Sequence, residues 1–219
     1  MLNFIIVRYL GLQPYEKILN AMNFFVDHRT SSDFDEIWLV QHPHVFTQGK
    51  NQKFNFPKVF NTIPIVQSNR GGGITYHGPG QQIIYILLNL RNQIFKISNL
   101  IVLLENIIIT TLSYFSISSY SIINSPGVYV NKKKICSLGL RISNKYLSHG
   151  LSLNVNMDLT PFSYIDPCGY SGLRMTQMSN HSVVTEEKEV IPILLENLSR
   201  FLHVKCSDIK SWKEKKYKI

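Results

Sequence analysis

The sequence predicts one domain that mixes strands and helices, and three observations carry that expectation. The chain opens on an extended apolar run, Phe4-Ile5-Ile6-Val7-Arg8-Tyr9-Leu10, then passes Pro14 into a stretch whose apolar residues Ile18, Ala21, Met22 and Phe25 share one helical face. Residues Ile83 to Leu90 are apolar almost without interruption, the pattern of a strand covered on both faces. Residues 134–142 and 149–155 each alternate apolar with small or polar side chains on either side of Ser143-Asn144-Lys145, which describes an antiparallel hairpin.

The remaining elements follow in order. Glu36-Ile37-Trp38-Leu39-Val40 reads as a strand running into Gln41-His42-Pro43-His44-Val45-Phe46-Thr47-Gln48-Gly49, where His42 and His44 could face one way as metal ligands but lack an evident third, so a loop role is expected and no metal. Ile63-Pro64-Ile65-Val66 is a further strand. From Ile94 onward, Ile97, Ile101, Leu104, Ile108 and Leu112 recur at three- and four-residue steps, predicting a long amphipathic helix over the sheet with Glu105 on its polar side. Val128 and Val130 alternate before a turn at Asn131-Lys132-Lys133. Pro192 is expected to open a last helix with Leu194, Leu195, Leu198, Phe201 and Leu202 inward, and the lysine-rich residues from about 205 to 219 read as a basic, solvated tail. Without an internal repeat or a low-complexity linker, residues 1–219 are expected to form one domain.

Bulk properties narrow the function. A chain of 219 residues can bury a real core, and a formal charge of +9 suggests an acidic partner, although lysine and asparagine also recur where nothing requires them. Cys136, Cys168 and Cys206 cannot all pair and show no zinc spacing, which fits a reducing, cytoplasmic setting. The N-terminus lacks the charged leader and small-residue cleavage site of a signal peptide, and Lys96, Asn99, Glu105 and Asn106 interrupt the most apolar stretch, so no membrane segment is expected.

Two regions carry chemistry. Arg70-Gly71-Gly72-Gly73-Ile74-Thr75-Tyr76-His77-Gly78-Pro79-Gly80-Gln81 combines glycines that leave backbone N–H groups bare with a cation, a hydroxyl, a phenol and an imidazole, more than a plain turn needs. Further on, parity places Lys134 on the face of Cys136, Leu138, Leu140 and Ile142, where a lysine is costly unless paired and shifts its pKa readily; a bulge turning it outward is the competing possibility. Cys168 stands between Pro167 and Gly169, a setting that presents a thiolate beside a free amide, against the simpler alternative of a small buried cysteine.

Together, Arg70-Gly71-Gly72 with Thr75-Tyr76-His77-Gly78-Pro79-Gly80-Gln81, Lys134-Ile135-Cys136-Ser137-Leu138-Gly139, His149-Gly150-Leu151-Ser152-Leu153-Asn154 and Asp166-Pro167-Cys168-Gly169 resemble, in order and spacing, the lipoyl(octanoyl) transferases, and His42-Pro43 with Phe46-Thr47-Gln48-Gly49 is similar to their N-terminal signature. Asp166 stands where asparagine is expected, and Gly73 where a larger residue is usual. The resemblance implies an α+β fold of mixed and antiparallel sheet covered by helices, shared with biotin- and lipoate-protein ligases. It implies transfer of an octanoyl group from octanoyl-acyl carrier protein to a lysine of lipoyl domains, those of 2-oxoacid dehydrogenases and of the glycine cleavage H protein, with no cofactor and no ATP. By the same resemblance Cys168 is the nucleophile, Lys134 tunes it, and the acyl chain lies against Arg70, Gly71, Gly72, Gly73, Ile74, Thr75, Tyr76 and His77, against Ser137, Leu138 and Gly139, and against Gly150, Leu151 and Ser152.

The chemistry of these groups is consistent with that role. A thiol of pKa about 8.5 becomes a useful nucleophile when a nearby ammonium favours its anion, and the resulting acyl-enzyme can be resolved by an amine. Lys134, with His77 or His149 as rivals, would carry the proton that the incoming amine must lose. Three alternatives stay open: an ATP-dependent lipoate or biotin ligase on the same fold, which would not need the thiol; a papain-like hydrolase, which the local signature fits poorly; and a nucleic-acid-binding module built on the positive charge.

Overall fold

The computed structural model describes residues 3–50, 58–90, 97–167, 172–183 and 186–209. The first apolar run forms β1 (Asn3–Leu12), and Pro14, with φ of −55°, stands at the N-cap of α1 (Tyr15–His28), whose Ile18, Ala21, Met22 and Phe25 are all buried. Strands β2 (Asp35–Gln41), β3 (Val45–Gln48), β4 (Val59–Phe60), β5 (Ile63–Gln67), β6 (Ile74–His77) and β7 (Gln81–Leu87) follow. After α2 (Ile97–Tyr114) come β8 (Tyr120–Ile122), β9 (Ser125–Val130), β10 (Lys133–Ser143) and β11 (Tyr146–Asn154), then α3 (Glu187–Leu202) and β12 (Val204–Ile209).

The larger sheet has the order β12-β1-β2-β7-β11-β10-β9-β8, and a smaller one has the order β4-β5-β3-β6. Pairing is parallel from β12 through β1 to β2 and antiparallel from β2 to β8, which makes the large sheet mixed. All seven residues of β7 are buried, as an unbroken apolar run requires at the centre of a sheet covered on both faces. Ile84 and Ile86 turn to the large core shared with Leu104, Ile108 and Leu112 of α2 and Leu194 and Leu198 of α3. Ile83, Tyr85 and Leu87 turn to the opposite core with Ile18, Met22 and Phe25 of α1. Both hairpin turns that join β9 to β10 and β10 to β11 have two successive left-handed residues, Asn131-Lys132 at φ 48° and 63° and Asn144-Lys145 at φ 50° and 65°. That geometry matches the right-handed twist of the flanking strands.

Three expectations need correction. Pro192 lies inside α3 rather than at its start, because a capping box between Glu186 and Glu189 begins the helix earlier. Glu105 does not sit on a polar face of α2: it is only 5% exposed, drawn inward by the backbone N–H of Gly127 at 2.9 Å. The lysine-rich end is not all solvated tail, since Val204–Ile209 forms β12 on the open side of β1 and sets Cys206 opposite Ile5; residues 210–219 lie outside the described residues, as do 91–96, where the predicted helix began. Among the described residues, no helix is long and apolar enough to cross a membrane.

The α1 face of the sheet carries a buried ion pair. Arg8 donates from Nε to Glu36 Oε2 at 2.6 Å and from Nη2 to Glu36 Oε1 at 2.7 Å, and Trp38 Nε1 donates to Glu36 Oε2 at 2.7 Å. A bidentate pair of this kind is costly to break from one side because the remaining charge stays buried. Arg8→Ala is therefore expected to lower unfolding free energy by roughly 3–5 kcal/mol, and Arg8→Met with Glu36→Gln by clearly less, as read from urea midpoints.

Candidate active site

Strand pairing builds the floor of a cavity. Ile83, Ser152 and Ser137 stand in one cross-strand row, and Tyr85, Gly150 and Gly139 in the next. Residues directly opposite share a face, so these rows lie on the side away from Ile84, Leu151 and Leu138, which join the large core. Small residues on β10 and β11 beside Ile83 and Tyr85 on β7 leave a depression in the sheet. It holds about 470 Å³ of empty space, open mouth included, and its wall is completed by Tyr15, Arg70, Gly72, Thr75, His77 and His149. No side chain could replace Gly150, because a Cβ there would come within 2.0 Å of the Ile84 carbonyl oxygen.

The glycine loop closes over this floor. Gly71 donates its backbone N–H to Leu140 O at 3.0 Å, and Gly73 accepts from Gly49 N at 3.1 Å, so two of the three consecutive glycines tie the loop to β10 and to the end of β3. Strand alternation in β6 then divides the expected binding stretch: Thr75 and His77 line the cavity, whereas Ile74 and Tyr76 pack with Phe46, Met157 and Phe162 in a separate small core. Tyr76 also bonds His44 Nδ1 through its hydroxyl at 2.5 Å, while His42 donates from Nδ1 to Gln13 O at 2.7 Å and accepts at Nε2 from the Tyr85 hydroxyl at 2.9 Å. The two histidines thus have separate partners.

His149 departs from the predicted alternation. Parity groups it with Leu151 and Leu153, but its φ of 63° turns the chain locally and brings the ring to the cavity wall. Its Nε2–H donates to Asn69 Oδ1 at 2.6 Å.

Beneath the cavity runs a continuous buried polar chain. Arg70 Nη2 donates to Thr47 O at 2.6 Å and to Thr47 Oγ1 at 2.8 Å, and the Thr47 hydroxyl donates to His77 Nε2 at 3.2 Å. His77 Nδ1–H donates to Gln81 Oε1 at 2.7 Å, Gln81 Nε2 to Asn154 Oδ1 at 2.8 Å, and Asn154 Nδ2 to Thr176 O at 2.9 Å. Thr176 N in turn donates to Lys134 O at 2.9 Å, and Lys134 N to Arg174 O at 2.9 Å. The sequence motifs include Gln81 and Asn154 without giving either a task; the structure pairs them with each other.

Lys134 is 1% exposed and is not one of the cavity-lining residues. A bulge does interrupt β9–β10 pairing between Lys134 and Cys136, yet it leaves the side chain inside. Nζ donates to Pro126 O at 3.0 Å and lies 5.2 Å from the centre of the Tyr129 ring, with the Glu105 carboxylate acting on it electrostatically. Gly127, at φ 140°, makes room for this side chain: a Cβ there would fall 2.9 Å from Lys134 Cε. Cys136 is a core thiol pushed up to about 12 by burial, against the pull of the Lys134 charge. Cys168, with Gly169, lies outside the described residues; of its neighbours, Pro167 is buried and Asp166 exposed.

Comparison with known proteins adds an independent line. A family model described as the lipoyl protein ligase A/B catalytic domain matches residues 14–199. An octanoyltransferase of Sodalis glossinidius (strain morsitans) is 50% identical over 208 residues, which covers 95% of each chain. A lipoate-protein ligase A bound with ATP shares the fold with a TM-score of 0.80 at 14% identity, over 99% of this chain and 92% of the other. A bi-partite lipoate protein ligase with its E2 lipoyl domain, from Thermoplasma acidophilum, gives a TM-score of 0.78 at 14% identity, over 99% and 89%. The expected α+β ligase-like fold is the one observed.

The histidines around the cavity give a test through pH. Burial lowers His42 from 6.5 to about 4, and burial with the nearby His42, Arg70 and His149 charges lowers His77 to about 3. Burial and the Arg70, Arg141 and Lys50 charges lower His149 to about 3. Folded protein keeps all three neutral while the unfolded chain protonates them below 6.5, so their contribution is intact above that pH and is lost as pH falls toward 4. Urea midpoints are expected to drop steadily from pH 6.5 to 4.5, each histidine contributing up to about 1.4 kcal/mol per pH unit. In His77→Gln the slope should be visibly shallower; an unchanged slope would remove His77 from this set.

Proposed function

This chain belongs to the lipoyl protein ligase A/B catalytic-domain family, and on that premise we propose that it is an octanoyltransferase that carries the acyl group on a cysteine. The donor is octanoyl-acyl carrier protein, the acceptors are lipoyl domains of 2-oxoacid dehydrogenases and of the glycine cleavage H protein, and the setting is the cytoplasm. The observation that carries this is the half-identity, along nearly the whole chain, to a protein named octanoyltransferase. The cavity supports it, since Ser137, Leu138, Gly139, Gly150, Leu151 and Ser152, which the resemblance sets against the acyl chain, all line it.

In this mechanism the Cys168 thiolate attacks the donor thioester carbonyl. A C–S bond to Cys168 forms as the C–S bond to the carrier breaks, and the departing carrier thiolate takes a proton from the Lys134 ammonium, leaving that lysine neutral. Neutral Lys134 then takes one proton from the acceptor ammonium, the amine attacks the acyl-enzyme, the C–N bond forms as the C–S bond to Cys168 breaks, the second proton of the nitrogen passes to solvent, and Cys168 leaves as the thiolate. Lys134 has two tasks: its ammonium favours the thiolate, and its neutral form receives the proton of the acceptor amine. Two features support Lys134 over the histidines as the proton carrier. His77 and His149, at about 3, are too weakly basic to take a proton from an ammonium. The chain leaving the Cys168 segment also pairs with Lys134 itself, through Arg174 and Thr176. Burial pushes the Cys136 thiol up to about 12, which argues against Cys136 as the nucleophile.

The ATP-dependent ligase alternative draws on fold likeness at 14% identity, which concerns architecture alone. Incubation with octanoyl-carrier protein, without ATP, is expected to give an intact-mass increase of one octanoyl group, mapped to Cys168. Cys168→Ala should lose both the adduct and transfer, and Cys136→Ala should keep them. Transfer that requires ATP, or survives Cys168→Ala, would reverse the assignment. In the fitted cavity, hexanoyl and decanoyl donors, each two methylenes away from octanoyl, should react more slowly, at about 1–3 kcal/mol per methylene in an apolar pocket. Equal rates from acetyl to palmitoyl would remove the cavity from acyl selection.

A further inference from the structure

Glu105 is a buried carboxylate with no part in the mechanism above. Its Oε1 accepts the Gly127 N–H at 2.9 Å, and Gly127 is the residue whose bare Cα faces the end of the Lys134 side chain, where a Cβ would lie 2.9 Å from Cε and 3.2 Å from Nζ. The neighbouring carbonyl, Pro126 O, receives the Lys134 Nζ hydrogen bond. One carboxylate on α2 therefore holds the turn of β9 that shapes the lysine's site, and supplies a negative charge to an ammonium that is itself 1% exposed.

We propose that Glu105 is a positioning residue: by holding Gly127 it fixes Lys134 Nζ on Pro126 O, and it sets a negative charge near that ammonium. This rests on the role given above to Lys134. Titratable groups near Lys134 among the described residues include Glu105 from α2, Tyr129 from β9 and Cys136 from β10. Tyr129 offers its ring and Cys136 stays a thiol, so Glu105 is the carboxylate of this set. Burial raises the Glu105 carboxyl, and the Gly127 hydrogen bond and the Lys134 charge draw it back down, which is the reciprocal of the same contact.

Glu105→Gln isolates the charge, because the amide oxygen can still accept from Gly127. The readout is the rate of octanoyl-enzyme formation against pH in single-turnover quench experiments. Loss of the anionic partner should lower the rate of octanoyl-enzyme formation and alter the shape of its pH profile, and Glu105→Asp should restore part of both. A profile of Glu105→Gln that superimposes on the unsubstituted protein, while Lys134→Ala alters it, would overturn the proposal and leave Lys134 in its role. An unaltered profile in Lys134→Ala would instead overturn the role of Lys134 and this inference with it. Stability supplies a second measure that does not depend on turnover. Lys134→Met should cost more in urea unfolding when Glu105 is present than in the Glu105→Gln background, where no buried carboxylate is left unpaired; strict additivity of the two substitutions would count against the pair.

Discussion

The buried hydrogen-bond chain from Arg70 through Thr47, His77, Gln81 and Asn154 to Thr176 is the constraint on which the rest of the site depends. It crosses from the small sheet to the large one, and every link leaves its polar atom without access to water. A network of that kind stabilises only when complete, since each unmade bond exposes a full desolvation cost. It also fixes details that packing cannot. His77 has to be neutral with its proton on Nδ1, because Thr47 donates to the other nitrogen and Gln81 offers an oxygen to the first. The glycine loop and the hairpin that together enclose the cavity are thereby held in one register, with hydrogen bonds supplying what a spring of apolar contacts could not.

Around that chain the molecule separates two environments on opposite faces of the same strands. On one face of β10 and β11, small residues beside Ile83 and Tyr85 give an apolar depression with neutral histidines at its wall. Toward the other, between α2 and β9, an ammonium and a carboxylate share a dry interior with the π face of Tyr129. The alternation of a strand sets a hydrophobic cavity and an ionic cluster only a few residues apart. Irregularities occur where the alternation must be broken: a left-handed residue at His149 and a bulge after Lys134.

Much of this was legible in the residues themselves. The unbroken run of β7, the two alternating arms of the β10–β11 hairpin and the one-faced apolar pattern of α1 each stated their environment through a simple period. The glycine loop announced a close backbone approach. What escaped detection depended on partners distant in sequence. Glu105 looks solvated on a helical wheel because its partner is an amide on β9, beyond the reach of a local period. His149 was grouped with leucines because parity assumes ordinary φ values at every residue. The residues of β12 open the lysine-rich end of the sequence and so look like part of a soluble tail, and become a strand through pairing with β1. For Pro192, a rule of thumb about helix starts lost to the capping box of Glu186 and Glu189.

The pairing of β12 with β1 also bears on the order in which the protein can be made. Strand β1 is made before every other described element, and its outer edge is closed by residues about two hundred positions later, Asn3 lying opposite Val204 and Arg8 opposite Ile209. Until β12 has been made, the nascent sheet presents an open strand edge of the kind that recruits foreign chains. The hairpins of β9, β10 and β11, whose contacts are local, can form during that interval, whereas the edge beside β1 must wait. A ribosome stalled before residue 204 would therefore display a sheet whose β1 border is still uncovered, the substrate that a holding chaperone is suited to shield.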